Sequence, residues 1–277
     1  MSLLRPVSLL LAGACGALFA LPAAAQSVSA PNDDAHLRTA EKSAAAGVFL
    51  THTESPTTET HRAAVSSQTG YDGNREGAFV HVRGEVVLLD GPKGRRHSPV
   101  GLSLVGGGSY IDATAQFPSS SAGFGGFKVQ PIFQEQFGFD AAVMVSYQSR
   151  GFNLTQAVAA DLLLGRRFGD TQLLLNIGYG QGVEEGERYG RVRAASLTRV
   201  VDELRLGIDG RFAADLEFEW EEPTGEPEFE ANVGPVVSYT ISHINLSASV
   251  GPAALRYRDG HDTLYGVAAN FGVGGTL

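Results

Sequence analysis

The sequence predicts an all-β fold, an up-and-down antiparallel barrel of about twelve strands with a lipid-facing outer surface; ten strands is the alternative. Three observations lead to this prediction. Apolar and polar residues alternate strictly over several stretches, the connections between these stretches alternate between short and long, and tyrosines recur where strands meet long connections. Alternation with a period of two is typical of a strand that has one apolar and one polar face.

The clearest alternation lies in residues 203–241. Apolar side chains take the even positions in its first half and the odd positions in its second half. A two-residue turn at Thr224 and Gly225 would join an even face to an odd face without changing sides. This hairpin predicts that Leu216 lies opposite Val233.

The other strands follow the same pattern in chain order. The weakest candidate is the first strand, residues 44–54, which precedes a Thr-, Ser- and Gly-rich stretch predicted as a loop, residues 55–76. Further strands are predicted at residues 77–90, 100–110, 127–133, 141–147, 160–164, 172–179, 188–199, 203–221, 229–241, 244–250 and 265–277. Pro131 removes a backbone donor, so we expect the 127–133 strand to be the least regular in pairing.

The connection lengths distinguish a membrane barrel from a soluble sandwich. Short links fall at residues 134–138, 167–170, 200–202 and at 242, whereas long ones fall at 111–125, 150–156, 181–187 and 258–263. Outer-membrane barrels have short periplasmic turns, longer outer loops and an even strand number. The strand at 77–90 then needs a partner before it, which favours twelve strands.

Aromatic residues and the carboxyl-terminal strand support the same class. Tyr110, Tyr147, Tyr179 and Tyr257 each end a strand before a long loop, as an interfacial girdle requires. The last strand keeps its apolar parity to Leu277. The chain thus resembles the Gram-negative outer-membrane β-barrel class over residues 44–277, although a terminal Leu277 and a Gly-Gly pair depart from the usual assembly signal.

This resemblance implies where the chain resides and what surrounds it. Outer-membrane lipid and lipopolysaccharide would contact the barrel, and the barrel-assembly machinery would act during biogenesis. The amino terminus agrees, because Arg5 and an apolar run precede a small-residue cleavage site. We therefore expect a signal peptide at 1–25, a periplasmic lead-in at 26–43 and the barrel at 44–277.

Composition excludes several function classes. Cys15 is the only cysteine and lies in the predicted signal peptide, so the exported chain would carry neither disulfides nor a thiolate nucleophile. A formal net charge of -9 argues against a nucleic-acid partner. Neither a phosphate-binding glycine loop nor a metal-ligand spacing occurs, so no cofactor and no metal are predicted. The oligomeric state is not predicted.

The inward parity marks candidate lumen-lining residues. These are His81, Arg83, Glu85, Lys128, Asp161, Arg193, Glu203, Arg205, Asp209, Arg211, Glu230 and Asn232. A three-residue turn at 200–202 would pair Arg199 with Glu203 and Arg193 with Asp209, and such pairs stabilise a sheet. They could line a small passive pore with some cation preference, or fill the lumen of a structural barrel.

Acidic residues form a second candidate site on the long hairpin. Glu217, Glu219, Glu221 and Glu228 would form an acidic rim above the membrane, with Trp220 opposite Phe229 and Glu219 opposite Glu230. Because like charges repel, a divalent cation or lipopolysaccharide bridged by one could bind there, although acidic loops are more often simply solvated. A plugged barrel with a ligand-binding or adhesive outer surface is the alternative.

A lipid-hydrolase site is the third candidate. His243, Asn245 and Ser247 share one strand face and are the residue types of outer-membrane phospholipases. Neighbours at i and i+2 lie about 7 Å apart along a strand, which is too far for the hydrogen bond that activates a serine. No catalytic residues are therefore predicted.

Overall fold

The computed structural model describes residues 53–57, 62–72, 77–92, 98–112, 120–149, 156–183, 188–216, 227–257 and 263–277. The predicted signal peptide and periplasmic lead-in lie outside these residues. The twelve strands are β1 Ala63–Asp72, β2 Gly77–Asp90, β3 Gly101–Ile111, β4 Ser120–Ile132, β5 Asp140–Gln148, β6 Ala157–Phe168, β7 Thr171–Gly182, β8 Arg188–Arg199, β9 Leu204–Asp215, β10 Pro227–Ile241, β11 Ile244–Tyr257 and β12 Thr263–Thr276.

Every strand pairs antiparallel with its neighbours in sequence, and β1 pairs with β12 to close the barrel. At this seam Val65 lies opposite Gly275, and the Arg62 backbone N–H donates to the Leu277 carbonyl at 2.7 Å. Closure leaves no strand edge unpaired, as a lipid environment requires. The predicted twelve-stranded antiparallel barrel is confirmed.

The first strand is not where the alternation placed it. β1 is Ala63–Asp72, within the range predicted as a loop, and of the predicted strand 44–54 only Thr53 and Glu54 are described. These two residues lie inside the barrel. The alternation of apolar and polar residues in β1 is weak because polar Ser67 and Thr69 share its outward face with Val65. The Thr69 hydroxyl donates to the Phe79 carbonyl at 3.1 Å. Closure with β2 and β12, and not amphipathicity, defines this strand.

Side-chain orientation follows the predicted parity. Outward positions carry exposed apolar side chains, for example Val82, Phe127 and Leu162, whereas inward Lys128 and Asp161 are about 1% exposed. Inward apolar side chains form two small clusters, Leu174, Ala195, Leu197 and Val236 in one and Val105, Ala142, Met144 and Leu163 in the other. The barrel is therefore apolar outside and mixed but largely polar inside.

The predicted hairpin has the right parity and a different register. Val233 pairs with Gly210 and Phe229 with Ala214, so β10 meets β9 six positions earlier than predicted. Glu230 accordingly lies opposite Ala213 and not Glu219. A slip by an even number keeps every side chain on its predicted face. Trp220 and residues 217–226 lie outside the described residues, as does the predicted projection of the hairpin.

The two ends of the barrel differ in their connections. At one end, here called the lower end, the links are 91–100, 133–139, 169–170, 200–203 and 242–243; β1 begins and β12 ends at this same end. The 133–139 link contains a short helix, α1 Gln134–Phe137, which Gly138 ends at φ 81°, and Gly169 turns the chain at φ 55°. The upper end carries the remaining links.

Pro131 disturbs the ladder as expected. The β4–β5 pairing changes register between Val129 and Ile132, on either side of the proline. The described residues contain no helix that is both long and apolar enough to cross a membrane.

Candidate functional site

A short stretch of chain, residues 53–57, runs inside the barrel; we call it the inner segment. All five residues are buried. Thr53 lies at mid-height, where its hydroxyl donates to Asp209 Oδ1 at 2.8 Å. The segment then descends, since Lys128 near the lower end contacts the carbonyls of Ser55 and Thr57. The protein's own chain thus occupies part of the lumen.

Glu54 makes the most contacts of the inner segment. Its Oε1 accepts from Arg83 Nη1 at 2.7 Å and from Arg193 Nη1 at 3.5 Å. Its backbone N–H donates to Asn176 Oδ1 at 2.7 Å, and Asn176 Nδ2 donates to its carbonyl at 3.0 Å. β2, β7 and β8 thus bind both the charge and the peptide group of one residue.

The lower half of the segment rests on Lys128. Its Nζ donates to the carbonyls of Ser55 at 3.4 Å and Thr57 at 3.3 Å, and forms an ion pair with Glu85 Oε1 at 2.6 Å. Both charged side chains are 1% exposed, so each depends on the other for compensation in a region of low polarity.

Asp161 holds the arginines of β8. Arg191 forms a two-point ion pair with its carboxylate, with Nε donating to Oδ1 at 2.8 Å, and Arg193 Nη2 donates to Oδ1 at 3.2 Å. Arg191 also lies over the Tyr189 ring, 5.8 Å from its centroid. Arg193 contacts Asp161 through Nη2 and Glu54 through Nη1, so Asp161 helps to orient this planar guanidinium toward Glu54.

Aromatic side chains line the wall above this cluster. His81 stacks on Phe124 with ring centroids 5.9 Å apart, and Arg83 lies 5.6 Å from the same ring centroid. Tyr189 donates from its hydroxyl to Gln148 Oε1 at 3.0 Å. Arg83 is thus held between a ring and the Glu54 carboxylate.

The register of β8 on β9 differs from the predicted one. Arg193 pairs with Arg211 and Arg199 with Arg205, because the turn between the paired residues spans 200–204 and is two residues longer than expected. The predicted pairs Arg199–Glu203 and Arg193–Asp209 do not form. Each arginine instead uses another partner: Arg199 bonds Asp170, Arg205 donates to Gln172 Oε1 at 3.3 Å, and Arg211 bonds Glu230 at 3.2 Å.

All but one of the residues predicted to line the lumen face the interior of the barrel. His81, Arg83, Glu85, Lys128, Asp161, Arg193, Arg205, Asp209, Arg211, Glu230 and Asn232 all take inward positions on their strands. Glu203 lies in the β8–β9 link and is exposed, and its backbone carbonyl accepts from Thr240. Most of the described ion pairs and hydrogen bonds inside the barrel involve the inner segment or the residues around it, and not pairs of residues within one hairpin.

Two residues of the cluster were absent from the predicted set. Arg191 has the same parity as Arg193, but Tyr189 and Leu197 made the parity of β8 ambiguous. Glu54 was assigned to a strand, and nothing in its neighbourhood indicates a segment that enters a lumen. A Glu followed by Ser-Pro is too common to identify one.

The acidic rim is only partly described. Glu217, Glu219 and Glu221 lie outside the described residues. Glu228 forms an ion pair with Arg256 Nε at 2.8 Å, and Glu230 with Arg211 as above. The base of the acidic hairpin is thus neutralised by arginines from neighbouring strands.

The residues considered for hydrolysis occupy different environments. His243 is exposed in the β10–β11 turn, whereas Asn245 and Ser247 are buried. Asn245 Nδ2 donates to the hydroxyls of Ser238 at 2.8 Å and Thr240 at 3.1 Å. Across the described ranges, no group of three or more His, Cys, Asp or Glu side chains could hold a metal ion.

Comparison with solved structures identifies the fold. The NanC porin matches with a TM-score of 0.51 at 10% identity, covering 77% of this chain and 100% of the porin. An outer-membrane channel from Pseudomonas putida F1 matches with a TM-score of 0.50 at 10% identity, covering 78% and 94%. No protein-family model matches, and no curated protein matches by sequence. The fold is that of outer-membrane β-barrels, and the resemblance predicted from sequence is confirmed at that level.

Proposed function

We propose that the protein is a narrow passive channel of the Gram-negative outer membrane, and that the inner segment closes it in the conformation described above. One observation carries the proposal: apolar side chains such as Val82 and Leu162 are exposed outside, while Lys128 and Asp161 are buried inside. A soluble protein buries its apolar side chains, so this distribution suits a barrel surrounded by lipid. Its partners would be outer-membrane lipid and lipopolysaccharide, with the assembly machinery during biogenesis.

The closure part of the proposal rests on the inner segment. Residues 53–57 are not part of a barrel strand, and side chains of the wall hold them. A segment held by side chains can leave without breaking the β ladder that closes the barrel. Its departure would leave charged and polar groups lining the lumen, which suits the passage of water and small polar solutes.

A structural barrel that stays plugged is the second candidate. The buried Lys128–Glu85 pair and the contacts of Glu54 favour it, because they compensate the inner charges within the protein. Cation bridging at the acidic hairpin remains a proposal for residues 217–226, since Glu228 already pairs with Arg256.

Planar-bilayer recording separates these two functions. We expect the full chain to be mostly silent, and a variant with residues 53–57 replaced by glycine and serine to show stepwise conductance. Asn245→Ala, which changes a lumen residue that is hydrogen-bonded to Ser238 and Thr240, is the matched control and should behave like the full chain. Heat-dependent migration in electrophoresis verifies that each barrel is folded. A folded but silent replacement variant would contradict the channel and favour the structural barrel.

A further inference from the structure

We infer that the inner segment occupies a binding site for short acidic peptides, and that such a peptide is the solute the lumen binds when the segment withdraws. The inference rests on the channel function proposed above. In the closed conformation Glu54 and its neighbours act as a tethered ligand of this site.

Among the described wall residues around the segment, positive and negative charges are equal in number when Glu54 is included. The wall residues around the segment contact either the segment or one another. They include four cations, Arg83, Lys128, Arg191 and Arg193, and three carboxylates, Glu85, Asp161 and Asp209. Glu54 supplies the fourth negative charge. Its withdrawal leaves an excess positive charge among buried side chains, which is costly unless another anion enters.

The wall binds more than a charge. Asn176 both donates to the carbonyl and accepts from the N–H of Glu54, and Lys128 donates to two further carbonyls of the segment. An inorganic anion could accept from the cationic groups and from Asn176 Nδ2, but it has no N–H to donate to Asn176 Oδ1. A peptide with an acidic side chain could use all three groups, so peptides are the ligand class that the wall fits.

The tethered ligand uses the site incompletely. Only Oε1 of Glu54 contacts Arg83 and Arg193, and its buried Oε2 accepts no hydrogen bond from the described residues. Guanidinium–carboxylate contacts are stronger when both oxygens take part. A free peptide is not restrained by the chain that leads to Arg62, so it could align both oxygens and compete with the segment.

The site favours anions, whereas the composition of the whole chain favours cations. The formal net charge of -9 and the acidic hairpin favour cations, but the residues around the inner segment carry more cations than carboxylates once Glu54 leaves. Local charge at the lumen wall acts directly on a permeating solute, whereas charges beyond about 8–10 Å are screened by salt.

The test uses the variant with residues 53–57 replaced by glycine and serine, in planar bilayers. The capped peptide Thr-Glu-Ser-Pro-Thr is added to the bath, and its half-blocking concentration is compared with that of Thr-Gln-Ser-Pro-Thr. We expect the Glu peptide to block at a concentration at least about tenfold lower, since hydrogen bonds to a charged group are stronger than those to a neutral one. Adding Arg193→Gln should remove this difference, whereas adding Asn245→Ala should preserve it.

The outcomes distinguish the inference from the function on which it rests. A silent replacement variant would overturn the channel itself. A conducting variant that both peptides block equally, or that neither blocks, would leave the channel intact and overturn the acidic-peptide site. Because the two peptides are compared on one protein, this result does not depend on whether the Arg193→Gln variant folds.

Discussion

The wall formed by β2 to β9 and the wall formed by β10, β11, β12 and β1 both bury polar side chains, but with different chemistry. The first, here called the charged wall, buries Arg83, Glu85, Lys128, Asp161, Arg205 and Asp209. The second, here called the neutral wall, buries Ser66, Ser238, Thr240, Asn245, Ser247, Asn270 and Thr276. The described contacts of the inner segment with charged or amide side chains all fall on the charged wall.

The difference lies in how each wall satisfies its polar groups. On the neutral wall, short side chains bond to near neighbours across one ladder, as Asn245 does with Ser238 and Thr240. On the charged wall, long side chains reach across the lumen, and Glu54 joins Arg83 of β2 to Arg193 of β8. The charged wall therefore depends on the inner segment, whereas the neutral wall is satisfied without it.

The largest expected effect comes from breaking the buried pair of the charged wall. Lys128→Met keeps the length of the side chain and removes the ammonium that pairs with buried Glu85, which should lower the free energy of unfolding by about 3–5 kcal/mol. Urea titration followed by circular dichroism measures it. Ser247→Ala on the neutral wall is the control and should cost far less; equal losses would remove the contrast between the walls.

An intermediate effect is expected where the wall touches the segment. A Cβ at Gly165 would lie 2.9 Å from Pro56 Cγ, so Gly165→Val should destabilise the closed conformation by about 1–3 kcal/mol. Channel openings in bilayers should become more frequent. Gly125→Val is the matched control, because a Cβ there meets nothing within 4 Å. If both variants stay as silent as the full chain, the inner segment does not close the lumen.

The smallest effect is expected on the neutral wall. Asn245→Ala removes two hydrogen bonds to hydroxyls that can bond elsewhere, and should cost about 0.5–1.5 kcal/mol in the urea titration. Its conductance should match that of the full chain. A change in conductance as large as that of Gly165→Val would mean that the neutral wall also controls closure.

Most of the barrel could be predicted because each strand face has its own composition. The alternation assigned Lys128, Asp161 and Asp209 to the inside and Val82 and Leu162 to the outside before any contact was known. Connection lengths favoured twelve strands, and Pro131 located the register shift of the β4–β5 ladder, although the β2–β3 and β10–β11 ladders also change register. These features depend only on local parity and turn chemistry.

The inward orientation of the candidate lumen residues could be predicted, but their arrangement could not. Parity identified eleven of the twelve proposed lumen positions as inward-facing, and missed that Glu203 lies in a link. It gave the wrong partners for Arg193 and Arg199, because a shift of two positions changes every pair and leaves parity unchanged. The partners depend on the register, which local pattern does not fix.

By itself, the sequence determined the period of the strands and the face of most side chains, and it favoured twelve strands over ten. Only the tertiary structure decided the register of β9 on β10, the position of the first strand and the path of residues 53–57. Closure of a twelve-stranded ring fixes all registers together, and it assigns Ala63–Asp72 as the strand that joins β2 to β12. The inner segment follows for the same reason, because charges such as Arg83 and Arg193, far apart in sequence, face one lumen only once the ring is closed.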